Sequence, residues 1–131
     1  MARARVLLAD DNPAILEHAA AMLAHDFEIV ASLPDGESVL REYDKLHPDV
    51  IILDISMGLL SGIEVARRLR DTGRLAKIVF LTVHEDQEFV SASLGAGGSA
   101  YVVKSRMAAD LMNAIHDVLW GKVFVSSPLR S

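Results

Sequence analysis

Cysteine is absent from the 131 residues of this chain, which excludes both disulfide scaffolds and thiolate zinc sites. Long apolar runs are absent too: no window approaches the roughly 18 residues of a membrane span. The start, Met1-Ala-Arg-Ala-Arg5, is basic, but the Val6-Leu-Leu-Ala9 run behind it stops at Asp10, too short for the core of a signal peptide. Positive charge is in deficit. Thirteen Lys and Arg against eighteen Asp and Glu leave a formal −5, which argues against a broad nucleic-acid-binding face. There is also too little length for a second module, since chains split into domains only when single cores outgrow about 250 residues. The expectation is one soluble, cytoplasmic domain with no membrane partner.

What is present is an alternation. Val6-Leu-Leu-Ala9, Val50-Ile-Ile-Leu53 and Ile78-Val-Phe-Leu81 are short, continuous apolar runs, the pattern of strands buried on both faces. Phe27-Glu-Ile-Val-Ala31 and Ala100-Tyr-Val-Val103 are weaker runs of the same kind. Between them the period becomes helical. Ile15, Ala19, Met22 and Leu23 follow Pro13; Val39, Leu40 and Tyr43 follow the Pro34-Asp-Gly36 turn. Ile63, Ala66 and Leu69 mark a third helix, and Phe89, Val90 and Leu94 a fourth ending at Gly95. Met107, Leu111, Ile115, Val118 and Leu119 mark a fifth, with Ser105 as its cap and Gly121 as its stop. Strand–helix units in this order imply an α/β fold: a doubly wound, five-stranded parallel sheet with helices on both faces.

Open parallel sheets bind ligands beyond the carboxyl ends of their strands. There the first strand hands over Asp10 and Asp11, the third Asp54, the fourth Thr82 and the fifth Lys104. Each close carboxylate pair repels by about 1 to 4 kcal/mol, so three stay ionised together only around a shared cation. Mg2+ suits them, being hard and oxygen-seeking. Lys104 offers a point charge for a phosphoryl oxygen, and Thr82 a hydroxyl. Asp54 stands free to act as a nucleophile, as carboxylates do in aspartyl-phosphate chemistry. An acidic residue after a strand can also be a plain helix cap, and Asp11-Asn12-Pro13 makes a sensible helix start by itself.

Leu8-Ala-Asp10-Asp11, Leu53-Asp54-Ile-Ser-Met57, Ser61-Gly62, Leu81-Thr82 and Tyr101-Val-Val-Lys104 together resemble the receiver domain of two-component response regulators, the CheY-like, flavodoxin-like family. The resemblance implies that Asp54 is the phosphoacceptor, loaded by a sensor histidine kinase. It implies that Asp10, Asp11, Asp54 and the backbone carbonyl of Ser56 ligate Mg2+, and that Lys104 pairs with phosphoryl oxygens. Thr82 and Tyr101 become switch residues that remodel the face of the fourth and fifth helices. Such a chain is a switch that assists its own phosphorylation and dephosphorylation, not a conventional enzyme. Three positions depart from the family pattern: Gly58 in place of proline, Val83 after Thr82, and Ala100 before Tyr101. They motivate a competing reading, a phosphorylation-independent pseudo-receiver or stand-alone interaction module.

Residues 1–121 are expected to form the receiver and 122–131 the start of a linker or a short tail. Gly121-Lys-Val-Phe-Val125 and the Ser/Pro-containing residues after it resemble the exit of a LuxR/NarL-type receiver, which implies homodimerisation on phosphorylation and DNA binding only through a missing C-terminal domain. Of the remaining residues, His84 is either a solvated loop residue or a rim residue that tunes phosphoryl lifetime. His18, His25, His47 and His116 show no ligand spacing and read as surface residues. Met107, Met112 and Trp120 read as core and helix-end packing.

Overall fold

Alternation within the apolar runs decides which side chain faces which layer. The computed structural model describes residues 3–126. Its strands are β1 (Arg5–Ala9), β2 (Glu28–Leu33), β3 (Val50–Leu53), β4 (Lys77–Thr82), β5 (Ala100–Val103) and β6 (Phe124–Val125). The helices between them are α1 (Pro13–Leu23), α2 (Gly36–Leu46), α3 (Gly62–Asp71), α4 (Gln87–Gly95) and α5 (Met107–Leu119). The strands form one parallel sheet in the order β2-β1-β3-β4-β5-β6.

Successive residues on a strand point to opposite faces, so the core divides in two. Leu7, Ile51, Leu53, Phe80, Tyr101 and Val103 face a layer built with Val39 of α2, Val65 and Leu69 of α3 and Val90 of α4. Val6, Leu8, Val50, Ile52, Val79 and Val102 face α1 and α5, where Leu23, Leu111, Ile115 and Val118 meet them. Full burial of a Val, Leu or Ile side chain stabilises by about 1.5–3 kcal/mol, which is why these continuous runs fix the central strands. The edge strand β2 is only half-buried; it runs over Glu28–Leu33 where the sequence pattern indicated 27–31.

Local chemistry sets the helix starts. Asn12 caps α1 through its side chain, with Pro13 in the first turn. Asp35 caps α2. Ser61 caps α3 by accepting from the Glu64 amide, the first half of a capping box. Ser105 is not a cap. Lys104–Arg106 form a 3-10 turn, and α5 begins after it with no side-chain cap. Gly121, with φ 78°, ends α5 as its position implied.

Two further expectations change. Phe124–Val125 add a sixth strand beside β5, and Ser126 is fully buried, so part of the segment read as linker or tail is packed into the domain. The rest of that segment, 127–131, lies outside the described residues. Trp120 does not pack at the helix end: it is 82% exposed. His18, His25, His47 and His116 are exposed, as expected. No helix among the described residues is long and apolar enough to cross a membrane.

Candidate functional site

The sheet order reverses between β1 and β3, and the residues that leave these two strands stand side by side. The ladder runs one residue past each strand. The Asp10 amide donates to the Leu33 carbonyl at 3.1 Å, and the Asp54 amide to Ala9 at 3.0 Å. Both carboxylates are therefore carried on fixed backbone, and both residues are buried, Asp54 to 4% exposure. Asp11, the next residue after Asp10, is exposed. One carboxylate oxygen from each of Asp10, Asp11 and Asp54 lies within 4.8 Å of the others.

Lys104, entering from β5, reaches across the β4 exit to this cluster. Its Nζ lies 2.8 Å from Asp10 Oδ2 and donates to Asp54 Oδ2 at 3.2 Å. The approach to Asp10 Oδ2 is an ion pair without hydrogen-bond geometry, which leaves that buried oxygen lacking a partner at a bonding angle. Asp10 Oδ1 accepts from the Asn12 amide at 2.9 Å. Burial raises the Asp54 pKa above the ordinary carboxylate value, the Asp10 charge raises it further, and Lys104 opposes both. Burial works against the Lys104 ammonium, but Asp10 and Asp54 together outweigh it and hold Lys104 above the usual lysine range.

A divalent cation fits this set. Three converging carboxylates form a hard oxygen donor set at one point. One ammonium neutralises them only in part. Thr82 is fully buried beside the cluster, its hydroxyl accepting weakly from the His84 amide at 3.4 Å. Thus the five residues named from strand ends, Asp10, Asp11, Asp54, Thr82 and Lys104, do occupy one edge of the sheet.

Tyr101 points inward. It is fully buried, its hydroxyl donates to the His84 backbone carbonyl at 2.8 Å, and burial first, then the nearby carboxylates of Asp86, Asp54 and Glu85, push its pKa to about 12. His84 itself is half-buried rather than free in solvent. Its ring stacks on Phe89 with centroids 4.2 Å apart, and its Nε2 lies 2.9 Å from Ser56 Oγ. Ser56 also contributes its backbone amide to the Asp54 carboxylate.

The three departures sit around the cluster without supplying any of its five residues. Gly58 has φ 84°, a conformation that proline, locked near −65°, does not reach, so the loop after Asp54 takes a turn of its own. Val83 is 65% exposed, its side chain out in solvent. Ala100 is buried at the start of β5, and Tyr101 beside it lies inward all the same.

Two further residues shape the site through backbone geometry. Asn12 holds Asp10 through its backbone amide. Gly62 is required by proximity: a Cβ there would stand 2.0 Å from the Asp54 carbonyl oxygen. Its own amide donates to the Ile55 carbonyl at 2.8 Å, which folds the loop after Asp54 back on itself. The Ser61-Gly62 pair was visible in the sequence; its reason was not.

The comparisons with known proteins agree with this geometry. Residues 6–116 match the response regulator receiver domain family. The transcriptional regulatory protein DegU of Brevibacillus brevis is 32% identical over 123 residues, covering 92% of this chain and 52% of that protein. The nitrate/nitrite response regulator protein NarL of Escherichia coli K12 is 30% identical over 128 residues, covering 96% of this chain and 59% of NarL. The chain thus spans between half and two-thirds of the length of these relatives. Among solved structures, a LuxR-family two-component response regulator from Aurantimonas sp. SI85-9A1 superposes with a TM-score of 0.92 at 30% identity, covering 98% of this chain and 93% of that one. The isolated REC domain of RcsB from Salmonella enterica serovar Typhimurium, in its apo form, gives 0.86 at 26% identity, covering 95% and 94%. With its acidic cluster suited to metal-assisted phosphotransfer, the chain belongs to the response regulator receiver domains, the phosphoacceptor switches of two-component signalling.

Proposed function

We propose that Asp54 accepts a phosphoryl group from a phosphohistidine on a sensor kinase, in a reaction that requires Mg2+. A carboxylate oxygen of Asp54 forms the new bond to phosphorus. The phosphorus–nitrogen bond breaks, and the departing imidazole keeps the electron pair and takes up a proton. Asp10, Asp11, Asp54 and the Ser56 carbonyl would hold the metal, whose charge offsets that of the phosphoryl oxygens. Lys104 moves its ammonium from the carboxylates to a phosphoryl oxygen, and Thr82 donates its hydroxyl to another. The observation that carries this reading is Lys104 bridging Asp10 and Asp54, a cation already placed where anionic oxygen would arrive.

The product adds about −1.5 to −2 of charge and three acceptor oxygens to a buried edge of the sheet. Tyr101 and Thr82 read that change, since both meet the backbone of His84 in the loop that leads into α4. The output is altered partner binding or homodimerisation. Relatives named as transcriptional regulatory proteins, of which this chain matches 52% and 58%, are longer than it is, which supports transcription control through a DNA-binding part outside these 131 residues. A cytoplasmic location follows from the proposed kinase partner.

The test is incubation with acetyl phosphate and Mg2+, read by intact mass. One phosphoryl group is gained by the wild-type chain and none by Asp54→Asn. Equal labelling of the variant would remove Asp54 from this role, and no labelling of either would favour a phosphorylation-independent module.

A further inference from the structure

A second buried charged cluster lies behind the site, on the β5–α5 corner. Asp110, in the first turn of α5, is 6% exposed. A carboxylate that deep persists only when paired and hydrogen-bonded. Arg106 supplies the charge through a two-pronged contact, Nε to Oδ2 at 2.8 Å and a terminal nitrogen to Oδ1 at 3.1 Å. Ser126 supplies a hydroxyl: it donates to Asp110 Oδ2 at 2.9 Å and accepts from the Val103 amide at 3.1 Å. The Ser126 amide in turn donates to the Tyr101 carbonyl at 2.9 Å. One fully buried serine therefore ties together the end of β5, the start of α5 and the last residue of β6.

The tie shares a short element with the phosphoacceptor pocket. Lys104 and Arg106 are the first and third residues of one 3-10 turn. Lys104 sends its cation forward to Asp10 and Asp54, while Arg106 sends its own back to Asp110. Val103, which bonds Ser126, immediately precedes that turn. A pull on Lys104 is thus a pull on both ends of the Ser126 contact.

We propose that Ser126, Asp110 and Arg106 form a clamp that fixes where the chain leaves the sheet, and that loading Asp54 loosens it through the Lys104–Arg106 turn. The clamp stands on the observed contacts alone; the coupling rests on the phosphoacceptor reading given above. The clamp would hold Ser126, at the end of β6, against the β5–α5 corner. Its loosening would convert a charge change at Asp54 into freedom at the chain exit.

Amide hydrogen exchange, followed by NMR on the 131-residue chain with intact mass measured in parallel, tests both parts. In the unphosphorylated protein, Ser126→Ala speeds exchange at the Val103 amide by about tenfold, the loss of one hydrogen bond. Arg106→Ala, which leaves the serine in place, does so by a smaller factor. Unchanged exchange in both variants overturns the clamp. With acetyl phosphate and Mg2+, exchange at Val103 and Ser126 rises about threefold or more in the wild-type chain. In Arg106→Ala the mass gain persists but the further rise is lost. A mass gain with no change at these amides overturns the coupling alone. No mass gain overturns the phosphoacceptor reading and the coupling together, and leaves the clamp standing on the variant data.

Discussion

Ser56 and His84 sit two residues beyond Asp54 and Thr82, and their side chains meet, Oγ to Nε2, at 2.9 Å. The contact joins the loops that leave adjacent strands β3 and β4, so it crosses from the loop after Asp54 to the loop after Thr82. Stacking on Phe89 holds the imidazole in place. His84→Ala opens that crossing. The half-life of phosphorylated protein should fall by about threefold to tenfold, the factor worth roughly 1 kcal/mol, and Ser56→Ala should do the same. Phosphate release measured after removal of donor decides it; half-lives equal to wild type would mean that the contact has no part in shielding Asp54.

The raised pKa of Asp54 has a definite consequence for stability. The folded state holds that proton more tightly than the unfolded chain, whose value is near 3.8. Stability from this group is therefore greatest at low pH and declines as pH rises from the unfolded value through the folded one. Asp54→Asn removes that decline, while Lys104 keeps Asp10 as a partner. Its melting temperature should exceed that of the wild-type chain at neutral pH, with the gap closing as the pH falls. Parallel melting curves across this range would contradict the desolvation of Asp54.

Binding of Mg2+ to the folded state alone must stabilise it. A tenfold excess over the dissociation constant gives about 1.4 kcal/mol. Asp11→Asn should lose most of this gain, because Asp11 is the exposed member of the cluster and its loss disturbs the buried residues least. Melting with and without Mg2+, against a Ca2+ control, measures it. An equal gain in the variant would exclude Asp11 from the cation site.

Gly62→Ala places a methyl group against backbone rather than against a side chain that could yield. The Asp54 carbonyl would be 2.0 Å away and its carbon 2.9 Å away. We expect a loss of about 1–3 kcal/mol in stability, together with slower phosphorylation as Asp54 is displaced. Denaturant unfolding and the rate of mass gain report the two effects. A variant normal in both would show that the loop relaxes freely.

How much of this was legible in the sequence follows from what each element depends on. The central strands were readable because both faces are buried and their continuous apolar runs, Val6-Leu-Leu-Ala9, Val50-Ile-Ile-Leu53 and Ile78-Val-Phe-Leu81, are interrupted by no polar residue. The acceptor cluster was readable because strand ends are fixed once the strands are known, which brings Asp10, Asp54, Thr82 and Lys104 to one edge. Strand β6 was not: two residues have no period, and their pairing depends on an open edge at β5. Nor was the start of α5, where Ser105 has the chemistry of a cap but Lys104–Arg106 wind into a 3-10 turn instead. The spacing of Arg106 and Asp110, four apart, was the available sign. The contact between Ser56 and His84 joins residues 28 apart, and no local pattern foretells it.

The proposed site of phosphoryl transfer is the Asp54 carboxylate. An acyl phosphate is reduced by borohydride where a free carboxylate is not, so the loaded residue can be marked and located by peptide mass. After acetyl phosphate and Mg2+, reduction is expected at residue 54, converting it to homoserine, with Asp10 and Asp11 recovered as aspartate. Marking at Asp10 or Asp11, with Asp54 unmodified, would contradict it.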